Sequence, residues 1–228
     1  MGWVVADSRP KAVISWSSGK DSAFALSEVL RQGEFEVVGL LTTVTKAYAR
    51  VSMHGVRERL LELQAEASGL PLVRVEIPSP CPNEVYEQEM AKAIASMRSD
   101  GVTHLVFGDL FLQDIRNYRE SRLAPTGMKP VFPLWGRDTR QLAREMIERG
   151  LEAVVVCLDP RKLSRNFAGR RFDDHFLHDL PPSVDPCGEN GEFHTFVTAG
   201  PMFSRPIPVV VGSTVERDGF VFTDLLPG

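Results

Sequence analysis

Residues 17–22 carry hydroxyl groups, a glycine and two opposite charges between an apolar segment and an amphipathic one. They are Ser17, Ser18, Gly19, Lys20, Asp21 and Ser22, and we call them the serine loop. Where a strand ends in a small-residue loop that opens a helix, N–H groups and the positive end of the helix dipole point at one place, which suits a phosphate. The spacing fits neither the Walker loop nor the dinucleotide fingerprint. A plain Ser/Gly turn, with Asp21 capping the helix, is the alternative interpretation.

A second stretch, DPCGENGEFHTFV at 185–197, is equally dense in groups that can do chemistry. Turn propensity accounts for its proline, glycines and asparagine, but it does not require Glu189, Glu192, His194 and Thr195 as well. If the stretch is extended, Glu192 and His194 share one face of a strand.

Up to residue 159, apolar runs alternate with amphipathic segments. Strands or short apolar runs are predicted at 12–16, 35–44, 72–77, 103–107, 131–134 and 153–158, and helices at 22–31, 56–68, 83–99, 114–122 and 138–149. Asn83 is the predicted cap of the third helix. Such alternation predicts an α/β fold with a parallel sheet covered on both faces. After residue 159 the pattern becomes mixed, with strands at 208–212 and 219–225, so we predict a domain at 1–159 and a smaller α+β region at 160–228.

The composition is that of a globular protein and argues against several functional classes. The 228 residues include 26 Lys and Arg against 30 Asp and Glu, a net charge of −4 that disfavours a nucleic-acid surface or an anionic membrane as partner. No apolar run reaches the ~20 residues needed to cross a bilayer, and we recognise no secretory signal. Three scattered cysteines without a CxxC pair argue against a disulfide scaffold or a metal ribbon and predict a reducing cytoplasm.

The serine loop resembles the PP-loop, SGGxDS, of the ATP pyrophosphatases, with Ser18 where that family has glycine. Its position, at the first strand–helix turn of an α/β domain, is the position that the family requires. The resemblance implies a parallel five-stranded sheet of the adenine nucleotide α-hydrolase (PP-loop/HUP) type. It also implies that the loop holds pyrophosphate while a substrate oxygen attacks the α-phosphate of ATP to form an adenylate. Mg²⁺ is expected on the phosphates without a dedicated protein site, and Asp21 is the protein ligand considered for it.

Together with the loop, GENGEFHT at 188–195 resembles the diphthine–ammonia ligase family. Three intermediate stretches, at 51–72, 107–120 and 130–150, agree, so the resemblance spans nearly the whole chain. It implies an ATP-dependent amide ligase with ATP bound by 1–159 and the substrate by 160–228. By position it gives substrate-side roles to Glu189, Asn190, Gly191, Glu192, His194 and Thr195.

The motif also departs from the family's usual form, GEGGEYET, at Asn190, Phe193 and His194. This form looks like a sister branch of the family. The adenylating chemistry therefore carries over more firmly than diphthine as the substrate.

Weaker candidates lie at the predicted strand ends on the nucleotide side. Thr42 and Thr43 end the second strand, and ligands of parallel sheets bind at the carboxyl ends of strands. Gly108 and Asp109 follow the fourth strand, with a helix cap as an almost equal alternative for Asp109. His54 begins a helix within a family-like stretch and is predicted near the nucleotide.

Two arginines and one histidine-rich stretch leave alternatives open. Arg116 and Arg119 are one turn apart and can grip a phosphate or carboxylate, or else form a solvated helix face with Asp114 or Glu120. The stretch at 170–180 invites a metal site, but an amphipathic helix that buries its phenylalanines explains it better.

The predicted partners are ATP, ammonia and a carboxylate borne by a small molecule or a protein, with a homodimer left open. One alternative keeps the adenylation but changes the substrate, to a cobalamin-related amidation or to thiolation of tRNA. The missing CxxC pairs and the acidic balance count against thiolation. A non-catalytic ATP-binding module is the other alternative, and the density of ionisable residues in both motifs counts against it.

Overall fold

The apolar segment before the serine loop forms the central strand of a parallel sheet. The computed structural model describes residues 9–45, 50–51 and 55–228. The strands of this sheet are β1 (Lys11–Ser15), β2 (Glu36–Thr45), β3 (Arg50–Val51), β4 (Leu72–Ile77), β5 (Val102–Val106) and β6 (Lys129–Val131). Their order is β4-β2-β1-β5-β6, all parallel, and the two-residue β3 pairs antiparallel with the end of β2. The predicted five-stranded parallel sheet is confirmed.

The strand order reverses at β1, which lies between β2 and β5. In sheets of this kind a crevice opens outside the carboxyl ends of the strands at the point of reversal. The serine loop follows β1 at that point, and Gly108 and Asp109 lie just beyond β5.

Helices follow or precede these strands with the expected local signals. They are α1 (Lys20–Gln32), α2 (Glu58–Ser68), α3 (Asn83–Ser99), α4 (Gln113–Leu123), α5 (Thr139–Glu148) and α6 (Asp174–Asp179), with 3₁₀ turns at Ala124–Thr126 and Arg165–Phe167. The side chain of Asp138 caps α5 by accepting a bond from the Gln141 N–H at 2.8 Å. Asn83 is the first residue of α3 rather than its cap, which is Pro82. The prediction for Asn83 was therefore wrong by one position.

A second, antiparallel sheet contains β7 (Glu152–Leu158), β8 (Phe193–Ala199), β9 (Val209–Arg217) and β10 (Phe220–Pro227), in the order β8-β7-β10-β9. The segment at 153–158, predicted as one of the alternating strands, therefore lies in this sheet and not in the parallel one. β7 is an inner strand of this sheet, and its residues from Ala153 to Leu158 are all buried. This burial explains the continuous apolar sequence of the segment. The predicted boundary at residue 159 remains a prediction, and the strand directly before it already pairs with the second sheet.

The two sheets share one apolar core. A continuous cluster joins buried side chains of α1, α2 and α5 to those of β7 and β8, while a smaller cluster lies on the opposite face of the parallel sheet against α3. The second sheet therefore packs on the face of the parallel sheet that α1 covers. In the described part of the chain, no helix combines the length and apolar character that a membrane span requires.

Candidate active site

The serine loop turns through a left-handed residue. Ser18 has φ 70°, a conformation that costs a residue other than glycine about 1–2 kcal/mol. This accounts for the glycine of the SGGxDS pattern at this position. The hydroxyls of Ser17 and Ser22 are 3.0 Å apart, and Ser22 Oγ donates to the Gly19 carbonyl at 3.0 Å. The loop is therefore internally bonded where α1 begins.

Gly108 lies directly against the loop. A Cβ on Gly108 would come within 2.7 Å of the Asp21 carbonyl carbon and 2.8 Å of the Ser22 nitrogen. Because both neighbours are backbone atoms, only glycine lets the end of β5 approach so closely. The structure thus brings together two of the predicted nucleotide-side segments.

The side chain of Lys20 is buried at the junction with the second sheet. Its ammonium donates to Asp21 at 2.8 Å and to the Cys187 carbonyl, and it lies 5.3 Å from the centre of the Phe193 ring. Burial lowers the pKa of Lys20, but its neighbours, Asp21 foremost, together outweigh the burial, so the pKa of Lys20 is raised. Lys20 stabilises this junction, and its predicted contact with a phosphate stays a prediction.

Asp109 pairs with Arg119 in a two-pronged ion pair. Arg119 Nε lies 2.5 Å and its Nη2 3.1 Å from the two carboxylate oxygens, and the guanidinium stacks over Phe107 at 4.4 Å. The helix-cap alternative for Asp109 is excluded, because α4 begins only at Gln113 with Leu112 as its cap.

Arg116 has partners other than this pair. It bonds Glu120 at 2.7 Å and lies over Phe132 and Trp135. This is the helix-face alternative that the sequence left open, and a ligand-binding role for Arg116 stays a prediction.

A cavity of about 560 Å³ opens beside the loop at the carboxyl ends of β1, β2 and β5. Its lining includes Trp16, Ser17, Thr42, Thr43 and Arg119, and it extends between α3 and α4. The Thr42 hydroxyl is buried and has no protein partner. A buried hydroxyl without a partner is costly, and that of Thr42 belongs to the carboxyl end of β2 beside the cavity.

The carboxy-terminal motif at 188–195 reaches across to the nucleotide side through Glu189. Its Oε1 accepts the backbone N–H of Leu110 at 2.8 Å. Burial raises the pKa of Glu189 to about 7, with Asp21 and Asp109 contributing to the rise. Glu189 can therefore hold or release a proton near neutral pH.

Glu192 is the most enclosed carboxylate of the motif. Its Oε1 accepts the Asp185 N–H at 3.0 Å and the Asn190 amide at 3.2 Å, whereas Oε2 is buried without a partner. Lys162 donates to the carbonyl of Asn190 at 2.5 Å. Gly191 takes a left-handed turn beside these groups, with φ 78°.

His194 and Thr195 lie at the start of β8, so the motif is extended only from Phe193 onward, and Glu192 lies in the bend before the strand. Thr195 Oγ1 accepts the backbone N–H of Lys20 at 3.1 Å. Burial lowers the pKa of His194 to about 4, and the charge of Lys20 contributes to this. The imidazole is therefore neutral at physiological pH.

The structure thus brings most of the predicted residues to one edge of the parallel sheet. The loop, Gly108, Thr195 and Glu189 contact one another or the same segments, and the Asp109–Arg119 pair and the threonines flank the adjoining cavity. His54 lies outside the described residues.

Gln64 is a site residue that sequence reasoning missed. Its side chain is fully buried and bonds Trp16, Ser18 and Val197. The available signal was a glutamine on the apolar face of α2, one turn after Leu60 and Leu61.

No group of three potential ligands for a metal ion is found in the described ranges. The short helix α6 instead buries Phe176, as the amphipathic interpretation predicted. The three cysteines are unpaired.

The parallel sheet, its order reversal at β1 and the loop at that point define an α/β protein of the adenine nucleotide α-hydrolase type. Residues 10–130 match the N-terminal domain of diphthamide synthase, and residues 138–222 match its C-terminal domain. The chain belongs to the diphthamide synthase family.

The chain is similar to curated relatives over most of its length. It is 29% identical over 240 residues to diphthine–ammonia ligase of Danio rerio, covering 90% of this chain and 89% of that protein. The human diphthine–ammonia ligase is 26% identical over 239 residues, with 90% and 85% covered. A Schizosaccharomyces pombe protein of the same name is 24% identical over 221 residues and is covered over 36% of its own length.

Proposed function

We propose that the protein is an ATP-dependent amide ligase that adenylates a substrate carboxylate and transfers ammonia to it, with release of AMP and pyrophosphate. One observation carries the proposal: the serine loop and the carboxy-terminal motif, far apart in sequence, meet in one site. The Lys20 N–H bonds Thr195 at 3.1 Å, and the Leu110 N–H bonds Glu189 at 2.8 Å. The names of the relatives, diphthine–ammonia ligase, support the same reaction class.

In this proposal residues 1–159 bind ATP. The start of α1 places the positive end of the helix dipole near the leaving pyrophosphate, while the Lys20 N–H is held by Thr195. The cavity lined by Trp16, Thr42 and Thr43 has room for the nucleoside. Gly108 fixes the distance between the loop and β5, and Arg119 holds Asp109 at the rim.

Mg²⁺ fits the site only as a companion of the phosphates. The Asp21 carboxylate, about a quarter exposed beside the loop, is the oxygen ligand that suits this hard cation. When bound, the cation would neutralise charge on the phosphates.

Residues 160–228 are proposed to position the carboxylate and the ammonia. Glu189 is the group suited to take the proton that the attacking nitrogen must lose, because its pKa of about 7 matches neutral conditions. Glu192 and the neutral His194 are given substrate-side roles in this proposal by their positions in the carboxy-terminal motif.

Asn190 and His194, the departures from the usual family motif, both lie in this substrate-side region. Diphthine is the first substrate to test because the relatives carry its name, and these departures are the reason to test other carboxylates, including those of cobalamin precursors, beside it. The three unpaired cysteines support the proposal that the protein works in a reducing cytoplasm.

The test is product analysis with purified protein, ATP, Mg²⁺, ammonium and either a diphthine-containing protein or a panel of carboxylic acids. We expect AMP and pyrophosphate to form in equal amounts, and we expect turnover to require both ammonium and the acid. Asp21→Asn should lower AMP formation by about tenfold or more, while the exposed Asp100→Asn serves as its matched control. Release of ADP, or ATP binding without any AMP across the panel, would contradict the proposal.

A further inference from the structure

The apolar face of α2 contains one polar side chain, Gln64. Its exposed fraction is 0%, and it lies among Leu60, Leu61 and Ala65 on the face that enters the core. A buried amide is retained in a core only where its donors and acceptor are satisfied, since each group left unpaired costs about 1–3 kcal/mol.

Every polar atom of this amide has a partner, and the partners come from three different segments. Gln64 Oε1 accepts the indole N–H of Trp16 at 2.9 Å. Its Nε2 donates to the carbonyl of Ser18 at 3.0 Å and to that of Val197 at 2.8 Å. One side chain therefore connects the end of β1, the serine loop and β8.

The Ser18 carbonyl is the centre of this arrangement. It also accepts the backbone N–H of Val197 at 3.0 Å, so both of its lone pairs are used. Ser18 is the residue held at φ 70°, and the two bonds to its carbonyl fix the peptide plane that follows it. That plane carries the N–H of Gly19, at the turn into α1.

Trp16 extends the connection to the cavity. The indole is buried beside the loop and forms part of the cavity wall at the carboxyl end of β1. Gln64 thus fixes both a wall of the cavity and the geometry of the loop, without itself lining the cavity.

We propose that Gln64 is a positioning residue of the ligase reaction: its amide locks the serine loop, through the Ser18 carbonyl, to the substrate-side strand β8 and to Trp16. This inference rests on the proposed function for its catalytic meaning. The consequence is that ATP affinity depends on a side chain of α2 that does not touch the ligand.

The test compares Gln64→Met, which keeps the volume but removes both the donors and the acceptor, with Gln141→Met on the exposed face of α5. ATP affinity is measured by calorimetry, and hydrogen exchange is measured at 17–22 and 195–197 without nucleotide. We expect Gln64→Met to weaken ATP binding by about tenfold and to speed exchange in both segments, while Gln141→Met changes neither. In active enzyme, KM for ATP should rise together with a fall in kcat.

A merely structural role would lower the melting temperature but leave the ATP affinity and loop exchange of the folded fraction unchanged. Affinity within about twofold of the native protein would therefore overturn the proposal. If Gln64→Met does not fold, Gln64→Asn, whose shorter amide cannot span all three partners, is measured in the same way. If the native protein binds ATP but makes no AMP, the proposed function fails, and the affinity and exchange data still decide the role of Gln64.

Discussion

Glu189 and Leu110 join the two halves of the site through a 2.8 Å hydrogen bond from a backbone N–H to a carboxylate oxygen. Leu110 follows Gly108 and Asp109 at the end of β5, whereas Glu189 belongs to the carboxy-terminal motif. Burial of the carboxylate is the main cause of its raised pKa of about 7, and the hydrogen bond from Leu110 acts against this rise.

The raised pKa predicts a specific dependence of stability on pH. Folded Glu189 keeps its proton up to about pH 7, whereas in the unfolded chain it loses the proton near its ordinary value of 4.5. The folded state thus binds more protons between these values, so this group lowers stability as pH rises from about 4.5 to 7. The upper limit of the loss is on the order of 3 kcal/mol, at about 1.4 kcal/mol per pKa unit. Thermal melts of Glu189→Gln should show a flatter pH dependence and a higher melting temperature at pH 8 than the native protein. The exposed Glu148→Gln is the control, and equal pH slopes in both variants would refute this assignment.

The same group predicts a pH–rate profile. If Glu189 takes a proton from the attacking nitrogen, AMP formation rises as pH passes through about 7 and then levels. Glu189→Gln should lose this rise and reduce the rate by about 10²-fold or more. A profile unchanged by the substitution would assign the proton transfer to another group.

Ser18→Gly should stabilise the protein. It relieves the left-handed strain, about 1–2 kcal/mol, and removes a buried hydroxyl without a partner, against a backbone entropy cost of about 0.5–1 kcal/mol. We expect a net gain of about 1 kcal/mol, which is about 2–4 °C in melting temperature. Ser18→Ala, which removes the hydroxyl but keeps the strain, separates the two contributions. A melting temperature below that of the native protein would show that neither relief operates.

Gly108→Ala should damage the loop more than the fold. The added Cβ would meet backbone atoms of Asp21 and Ser22 at 2.7–2.8 Å, so the start of α1 must shift. We expect a destabilisation of about 1–3 kcal/mol and a clear loss of ATP affinity, measured by calorimetry. Gly101→Ala is the matched control, because Gly101 has φ 82° with open space around it. It should cost stability without changing the affinity.

Arg119→Lys should not be a conservative change. A lysine ammonium cannot reproduce the two-pronged contact with Asp109 or the stacking on Phe107. We expect kcat/KM for ATP to fall about tenfold, with Arg140→Lys on the exposed face of α5 as the control. Native kinetics in Arg119→Lys would show that the ion pair is not needed at the rim of the site.

The sequence predicted β1, β2, β4 and β5, because each is a largely apolar run followed by a helix with its own end signals, whereas β6 shares only Val131 with the predicted run at 131–134. Gly33 and Gly69 end α1 and α2 in left-handed conformations, as helix-stop glycines do. It misassigned 153–158, since a buried inner strand has the same apolar pattern in a parallel and in an antiparallel sheet. Which sheet it joins depends on β8 and β10, far away along the chain.

The sequence predicted the two motifs of the site but not how they are arranged in space. Loop chemistry singled out residues 17–22, and a surplus of ionisable residues singled out 188–195. The burial of Lys20 beneath the second sheet could not be foreseen, because it depends on Cys187 and Phe193, which approach only in the folded chain. Gln64 escaped notice for a similar reason: an isolated amide on an apolar face gains meaning only from its three partners.

Residues on β8 and residues in the turn before it have different partners. Thr195 and the backbone of Val197 hold the serine loop, whereas Asn190 precedes β8 and bonds Lys162 and Glu192. A substitution at Asn190 leaves the bonds between β8 and the serine loop in place. The turn before β8 can therefore vary in sequence without loss of the contacts that shape the loop.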